Sequence, residues 1–290
     1  MRIIGINQEK CIKCEQCVNE CRHHMFFKED ESIKFEDPDD TCIKCGHCLA
    51  VCPTDAVIAE DAEVFEFEEA RDPSQIIEYE YLMRFIRGRR SIRQFKDKEI
   101  PKEQIEKILE AMRYAPSGSN KQSWNYVVIT DPEKIKFFSD QTMKLLYLLK
   151  KALKLKFILR FFVFGGARKL LLDPKNAMRL ERVIADYEAG KDVIFFEAPC
   201  VIVLHAPSYG SVAGWDAGIA LTHGMFAAQA LGIGTCNMGF AQEAARRNKK
   251  LKKWLGIPKG RKVQAVLALG YPSVQFHRAP PRNELRVKYM

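Results

Sequence analysis

Eight of the ten cysteines fall within 42 residues, and their spacing already specifies a kind of chemistry. They read Cys11-x2-Cys14-x2-Cys17-x3-Cys21 and then Cys42-x2-Cys45-x2-Cys48-x3-Cys52-Pro53, each member of the second run 31 positions after its counterpart. Ile12-Lys13 recurs as Ile43-Lys44, so the segment is an internal duplication with too few copies for a solenoid. Disulfides are disfavoured without an export signal, because a reducing compartment keeps thiols free. Zinc usually takes two Cys-x-x-Cys pairs parted by a loop, whereas three thiolates arrive here at consecutive short spacings. Three plus one suits an iron–sulfur cubane, in which three nearby thiolates hold three irons and a distant cysteine reaches the fourth. Zinc and disulfides stand as the alternatives.

Three further clusters could bind a ligand. Arg89-Arg90-Ser91-Ile92-Arg93-Gln94-Phe95 puts three guanidiniums and a hydroxyl within five residues. Such a set can surround a phosphate with charge-assisted, bidentate hydrogen bonds, although taken alone it also reads as a solvated basic turn. Ala115-Pro116-Ser117-Gly118-Ser119-Asn120-Lys121-Gln122-Ser123-Trp124 combines small residues, over which a flat ring can approach backbone, with polar donors. Its plain reading is an ordinary polar loop. Leu231-Gly232-Ile233-Gly234-Thr235-Cys236-Asn237-Met238-Gly239-Phe240 contains Gly-x-Gly, but the glycines follow a helical stretch, Asp216–Leu231, rather than a strand. That context excludes a dinucleotide fingerprint.

The elements around these clusters are legible in outline. Pro73-Ser74 starts a helix with Ser74 as the cap, and Ile76, Ile77, Tyr79, Leu82, Met83 and Ile86 approximate one face up to Gly88. Pro101 opens another, with Ile105, Ile108, Leu109 and Met112 at helical spacing. Strands are expected at Trp124–Thr130, Cys200–His205 and Val263–Leu269. The stretch from Glu60 to Arg71 is acidic, with Val64, Phe65 and Phe67 interspersed, and reads as packed and strand-like.

Composition sets the frame. The chain has 290 residues, 47% hydrophobic and 29% charged, enough for a sizeable core and against general disorder. The net charge of +9 hides an asymmetry. Residues 1–62 carry 7 basic and 13 acidic side chains, giving −6, and residues 63–290 carry 39 and 24, giving +15. Opposite fields point to two units that attract each other or like partners. No nucleic-acid-binding pattern accompanies the basic part, so no nucleic acid is expected. The N-terminus is too soon polar for a signal peptide, no apolar run can span a bilayer, and a cytoplasmic chain is expected.

Over residues 1–62 the cysteine pattern resembles the bacterial two-cluster ferredoxin. The resemblance implies one [4Fe–4S] cluster on Cys11, Cys14, Cys17 and Cys52, and the other on Cys42, Cys45, Cys48 and Cys21. Arg22 stands where the family pattern has proline after the fourth cysteine, and with His23 and His24 it adds positive charge near the second cluster. Over about residues 76–290 the three other clusters, with Gly270-Tyr271-Pro272, Arg278 and Arg282, resemble the nitroreductase family of FMN enzymes. The whole chain is thus similar to ferredoxin–nitroreductase fusions, with domains at 1–62 and 76–290 joined by an acidic linker, 63–75. The implied fold is α+β, a small two-cluster ferredoxin-like domain followed by a nitroreductase-fold FMN domain that forms an intertwined homodimer with flavin sites at the interface. By the same resemblance Arg89, Arg90, Ser91 and Arg93 hold the flavin phosphate and ribityl chain, and Arg278, Arg282 or both return to the phosphate. Pro116, Ser117, Gly118, Ser119 and Asn120 come from the partner subunit. Met238 and Gly239 offer backbone amides to the reactive edge of the ring.

The expected activity is an oxidoreductase passing electrons from two [4Fe–4S] clusters to FMN and on to a small organic acceptor, fed by a low-potential donor protein or NAD(P)H. A non-enzymatic electron carrier serving a protein partner is the alternative. No catalytic acid or base is singled out, since flavin supplies the electrons and solvent can supply protons. Cys200 and Cys236 read as buried core thiols, and His205 and His223 as structural. Residues 141–172 carry eight Lys or Arg and no acid. Lys144, Tyr147, Lys150, Lys151 and Lys154 fall on one helical face, and Leu145, Leu146, Leu148, Leu149, Ala152, Leu153 and Leu155 on the other. This segment is expected to be a lid over the active-site mouth, ahead of a membrane-surface helix or a dock for an acidic protein.

Overall fold

The duplication in the sequence reappears in the backbone. Lys13 and Lys44, 31 residues apart, both take left-handed conformations with φ of 58° and 55°. Glu15 and Gly46 do the same two residues later, at 59° and 78°. Each pair reverses the chain and starts a five-residue helix, α1 (Gln16–Glu20) or α2 (His47–Val51), that carries the third cysteine of its run. The fourth cysteines, Cys21 and Cys52, follow in extended conformation, so each leaves the helix in a new direction. A non-glycine residue rarely adopts positive φ, and three such positions, with Gly46 as the matched fourth, mark loops whose shape is imposed by what they surround.

In the computed structural model the described residues are all but 63, 65–67, 156–160, 163–164, 166–171 and 210–211. They divide into two compact units, Met1–Leu82 with Ser117–Lys121, and Met83–Pro116 with Gln122–Met290. In the first, β1 (Arg2–Ile6) pairs antiparallel with β4 (Val57–Glu60), and β2 (Phe26–Glu29) with β3 (Ser32–Phe35). Ile3, Phe26, Ile33, Cys48 and Val57 form its small core, with the Phe26 and Phe35 rings 5.0 Å apart. So small a core leaves such a unit dependent on bound metal for much of its stability.

The second unit is built on a four-stranded antiparallel sheet in the order β5 (Asn125–Ile129), β6 (Cys200–Pro207), β8 (Arg261–Gly270), β7 (Gly234–Asn237). Strand β6 is buried from Cys200 to Ala206, the signature of a strand covered on both faces. Alternation divides it: Val201 and Val203 join one core cluster, and Cys200, Ile202 and Leu204 the other. In β8, Val266 and Ala268 face the first cluster, and Ala265, Leu267 and Leu269 the second. The first is completed by α5 (Pro132–Lys154), α6 (Pro174–Glu188), α8 (Gly239–Arg247) and α9 (Lys249–Trp254). The second is completed by α4 (Lys102–Arg113) and α7 (Ala213–Ala230). The result is a three-layer helix–sheet–helix arrangement.

The strands expected near 124–130, 200–205 and 263–269 are present, and Ile105, Ile108 and Met112 are buried on α4 as their spacing requires. Three expectations need correction. Asp72, not Ser74, caps the turn at 73–75, its carboxylate accepting from the Ser74 amide at 3.3 Å, and α3 starts only at Tyr79 (Tyr79–Gly88). On α5 the buried stripe is Ile135, Phe138, Ser139, Thr142, Met143 and Leu146, so Leu148, Leu149 and Leu155 are exposed rather than packed. Strand β7 is present where no strand was expected. In the acidic stretch after β4, Val64 is exposed, and Phe65 and Phe67 lie outside the described residues, as does most of 156–171.

His205 at the β5–β6–β8 end shows how a buried histidine is made structural. Arg261 donates through Nε to His205 Nδ1 at 2.7 Å and through Nη2 to the Ser123 carbonyl at 2.6 Å. Burial, then the charges of Arg261 and Lys252, push its pKa down to about 4. A histidine depressed in the folded state binds its proton more readily when unfolded, so stability is complete above about pH 6.5 and falls as pH drops toward 4. Thermal melting between pH 7 and 4 should show this loss, and His205→Gln should flatten the slope across that window.

Candidate functional site

The cysteines are brought into two groups. Cys11, Cys14, Cys17 and Cys52 line one small cavity, closed by Ile33 and Val57. Burial raises the pKa of the Cys17 thiol, with Cys11 and Cys52 adding to the effect as neighbours. In the second group burial pushes Cys48 up to about 12, and its thiol neighbours are Cys45, Cys42 and Cys21. Cys42 is raised likewise, with Cys45 and Cys21 nearby. Each run therefore places three thiols together and sends its fourth to the other group. Cys52 goes the opposite way: burial opposes ionisation, but amide hydrogen bonds led by that of Ala56, 3.2 Å from the sulfur, hold it below the ordinary thiol range. Amides directed at sulfur are what a thiolate ligand requires.

Among the described residues no group of three or more His, Cys, Asp or Glu side chains is suited to a single metal ion. The first group stands around a void instead, which is the fit for a cluster with an iron at each corner and one thiolate per iron. Asp37, in the loop before the second cysteine run, has a defined task. Its carboxylate accepts from the Thr41 amide at 2.7 Å and the Cys42 amide at 3.2 Å, fixing the entry to the second cysteine run.

The second constellation is assembled on β7. After α3, the chain lays Ser91 parallel to Thr235, with the Ile92 amide donating to the Thr235 carbonyl at 2.9 Å. A Cβ on Gly234 would stand 2.6 Å from Ile92 Cγ1, so only glycine permits this approach. The Cys236 thiol has Arg93, Ser91 and Arg89 as neighbours: burial raises its pKa, and those neighbours oppose the rise. The segment then pairs with the chain beyond β8: Ser273 N donates to the Gln94 carbonyl at 3.0 Å, and Arg90 Nη2 to the Arg278 carbonyl at 2.7 Å. Phe276 lies under the Arg90 guanidinium, 5.7 Å from carbon to ring centre.

Thus Arg89, Ser91 and Arg93 are gathered beside β7, which leads directly into Met238 and Gly239 at the start of α8, while the Arg90 guanidinium turns to the carbonyls of Arg87, Arg89 and Arg278. Arg278 is tied in through its backbone. Arg282 donates to the neighbouring Pro281 carbonyl and is exposed. Ser117–Lys121 groups with the first unit, while Pro116 belongs to the second. In that loop Ser119 and Asn120 both have positive φ, 52° and 49°, and Asn120 Nδ2 donates to the Lys44 carbonyl at 2.7 Å. Cys236 is a buried core thiol, as its sequence context suggests, and Phe276, which lies under Arg90, had no local sequence signal beyond proximity to the C-terminal arginines. No helix among the described residues is long and apolar enough to cross a membrane.

Comparison with known proteins matches residues 86–271 to the nitroreductase family and residues 8–56 to a 4Fe-4S dicluster domain. An Archaeoglobus fulgidus protein assigned as an NADH dehydrogenase/NAD(P)H nitroreductase is 31% identical over 205 residues, spanning 70% of this chain and 93% of its own. The FMN reductase [NAD(P)H] of Bacillus subtilis is 28% identical, over 66% of each chain. Among solved structures, a nitroreductase with bound FMN from Desulfitobacterium hafniense superposes with a TM-score of 0.55 at 25% identity, covering 72% of this chain and 97% of that one.

Proposed function

Because the chain belongs to the nitroreductase family and carries a 4Fe-4S dicluster domain before it, we propose that electrons enter at its iron–sulfur head and leave through FMN to a small organic acceptor. It is an FMN-dependent oxidoreductase with two [4Fe–4S] clusters. The observation that carries the proposal is the convergence of Arg89, Ser91 and Arg93 beside β7 in a chain that also gathers its head thiols into two groups of four. Bound there, the clusters would supply single electrons, iron–sulfur potentials reaching down to roughly −700 mV, and FMN can take one electron at a time and give two.

The remaining roles belong to the chain's own residues. Cys11, Cys14, Cys17 and Cys52 are the ligands of one cluster, and Cys42, Cys45, Cys48 and Cys21 those of the other. Arg89, Arg90, Ser91 and Arg93 neutralise and orient the FMN phosphate, with Arg278 and Arg282 closing on it from the C-terminal segment. Gly239 presents its amide to the ring edge, where α8 begins, whereas the Met238 amide, expected to share that role, donates to the Val266 carbonyl at 2.7 Å. Pro116, Ser117, Gly118, Ser119 and Asn120 complete the site of the second subunit. The domain limits 1–62, 63–75 and 76–290 follow this division of labour.

The homodimer is supported by α7. This helix is apolar almost all round, and one face packs on α4 through Ala217, Ala220, Leu221 and Gly224. The opposite side leaves Trp215 78% exposed with Ile219 beside it, over a groove floored by Gly214 and Gly218. A helix hydrophobic on all faces is a buried helix, and a second copy of this chain covers that face. Trp215→Asp combined with Ile219→Asp should therefore convert dimer to monomer in sedimentation and release FMN with it.

The proposal is tested on anaerobically prepared full-length protein. About eight iron, eight sulfide and one FMN per chain are expected, and a low-potential one-electron donor should reduce first the cluster absorbance and then the flavin. Stoichiometric zinc without sulfide, or a flavin that ignores reduced clusters, would reject it.

A further inference from the structure

The two halves of the head are duplicates, yet they are not equivalent in what they touch. Lys13 and Lys44 occupy the same register and the same left-handed conformation, each between the first two cysteines of its run. It is the Lys44 carbonyl that accepts from Asn120 Nδ2 at 2.7 Å. Lys44 lies between Cys42 and Cys45, and both ends of this bond belong to the first compact unit. The donor sits in a loop with Ser119 and Asn120 both left-handed, a costly backbone at two successive non-glycine residues. Strain of that kind persists only where neighbouring groups hold it, and here the Lys44 peptide is one of those groups.

We infer that the Lys44–Asn120 bond couples the cage of Cys42, Cys45, Cys48 and Cys21 to the flavin site completed on the second subunit, so that each head serves the flavin held by the other chain's arginines. This rests on the proposed dimer, in which Ser117–Asn120 of one chain complete the flavin site of the other. Electron transfer slows steeply with distance, so the cage whose loop contacts the flavin loop is the exit, and the cage of Cys11, Cys14, Cys17 and Cys52 lies upstream. Each passage takes one electron from a reduced cluster, returning it to its oxidised state, and two passages with two protons from solvent fill the flavin. The electrons come from the low-potential one-electron donor already invoked.

Two experiments on the full-length chain decide this. In the first, Asn120→Leu and Asn120→Asp both remove the donor, and the midpoint potential of each cluster is read by anaerobic EPR titration. Cys14→Ser and Cys45→Ser identify which signal belongs to which cage. The signal altered by Cys45→Ser should shift in both Asn120 variants while the other stays fixed. A shift in the Cys14 signal, an equal shift in both, or no shift in either overturns the inference. This readout needs neither FMN occupancy nor turnover, and the isosteric Asn120→Asp keeps it available if Asn120→Leu misfolds.

In the second, mixed dimers pair one chain carrying Cys14→Ser and Cys45→Ser with one carrying Arg89→Ala and Arg93→Ala. About one FMN per dimer should bind, to the chain with intact arginines, and the intact head on the other chain should reduce it in a single turnover. FMN that binds but is not reduced means each head serves its own chain, and overturns the inference. Failure of the wild-type heads to reduce any flavin would instead reject the proposed electron route, an outcome the EPR shifts do not depend on.

Discussion

Replacing Arg89 and Arg93 together with alanine is expected to strip FMN from the protein. A phosphate dianion held by guanidiniums beside β7 loses a charge-assisted donor with each substitution, worth roughly 1.5–3 kcal/mol apiece. Neighbouring donors to one anion are not additive, so the lower end is the safer sum, about 3 kcal/mol. That corresponds to roughly a hundredfold weaker Kd. Each single variant should fall between this and wild type. The fold gives a reason to expect the loss without unfolding: the segment is anchored by backbone, through Ile92 N to Thr235 O and Ser273 N to Gln94 O, rather than by the guanidiniums. Lys134→Ala, which removes a cation from the exposed start of α5, is the control and should leave FMN affinity unchanged. FMN fluorescence on titration of apoprotein measures all four, and wild-type affinity in the double variant would remove the arginines from the site.

The head was the most legible part of the sequence, because spacing alone dictates how thiols can gather. Three cysteines at x2 intervals cannot avoid lying on one loop and short helix, and the 31-residue repeat requires the second cage to copy the first. The sheet was legible for a different reason. Cys200–Pro207 and Arg261–Gly270 contain the apolar runs Cys200-Val201-Ile202-Val203-Leu204 and Ala265-Val266-Leu267-Ala268-Leu269, which suit strands covered on both sides. Strand β7 was not legible. Gly234-Thr235-Cys236-Asn237 has neither alternation nor an apolar run, and it is a strand because β8 supplies its partners on one edge while Ser91 and Ile92 come in from the other. The return of the C-terminal segment was equally hidden. Its bonds to Gln94 and Arg90 join residues 179 to 188 positions apart, and no local pattern encodes such a meeting. On α5 the helical period was plain but its phase was not. Thr142 is fully buried because its hydroxyl donates to the Phe138 carbonyl at 2.9 Å, which turns the leucines at 148 and 149 outward. Polar residues satisfied within their own helix are the usual way such a phase is misread.

Removal of the head should separate two entrances to the flavin that the intact chain combines. A protein comprising residues 76–290 keeps all the proposed flavin residues, the α7 face and the four-stranded sheet, and it should bind FMN as a dimer, more weakly than the intact chain because Asn120 loses the Lys44 carbonyl that holds its loop. Tethering gives the head an effective concentration near the flavin of roughly millimolar order, far above that of a soluble donor in a micromolar assay. The intact chain should therefore reduce its flavin rapidly when mixed anaerobically with a reduced ferredoxin, and the shortened one should lose that rapid phase. Reduction by NAD(P)H depends only on access to the ring, so any rate it shows with the intact chain should survive. Exchange of cluster ligands in the full-length protein provides the same comparison without shortening it: Cys14→Ser with Cys45→Ser should remove the rapid phase and leave FMN content intact. The two predictions separate cleanly, because loss of FMN marks damage to the arginine site, and loss of the rapid phase at full FMN content marks loss of the entrance. Stopped-flow absorbance at the flavin and cluster bands distinguishes them in one experiment. If intact, shortened and ligand-exchanged proteins all reduce their flavin at the same rate with the same donor, the clusters do not feed the flavin, and the eight cysteines then require another explanation.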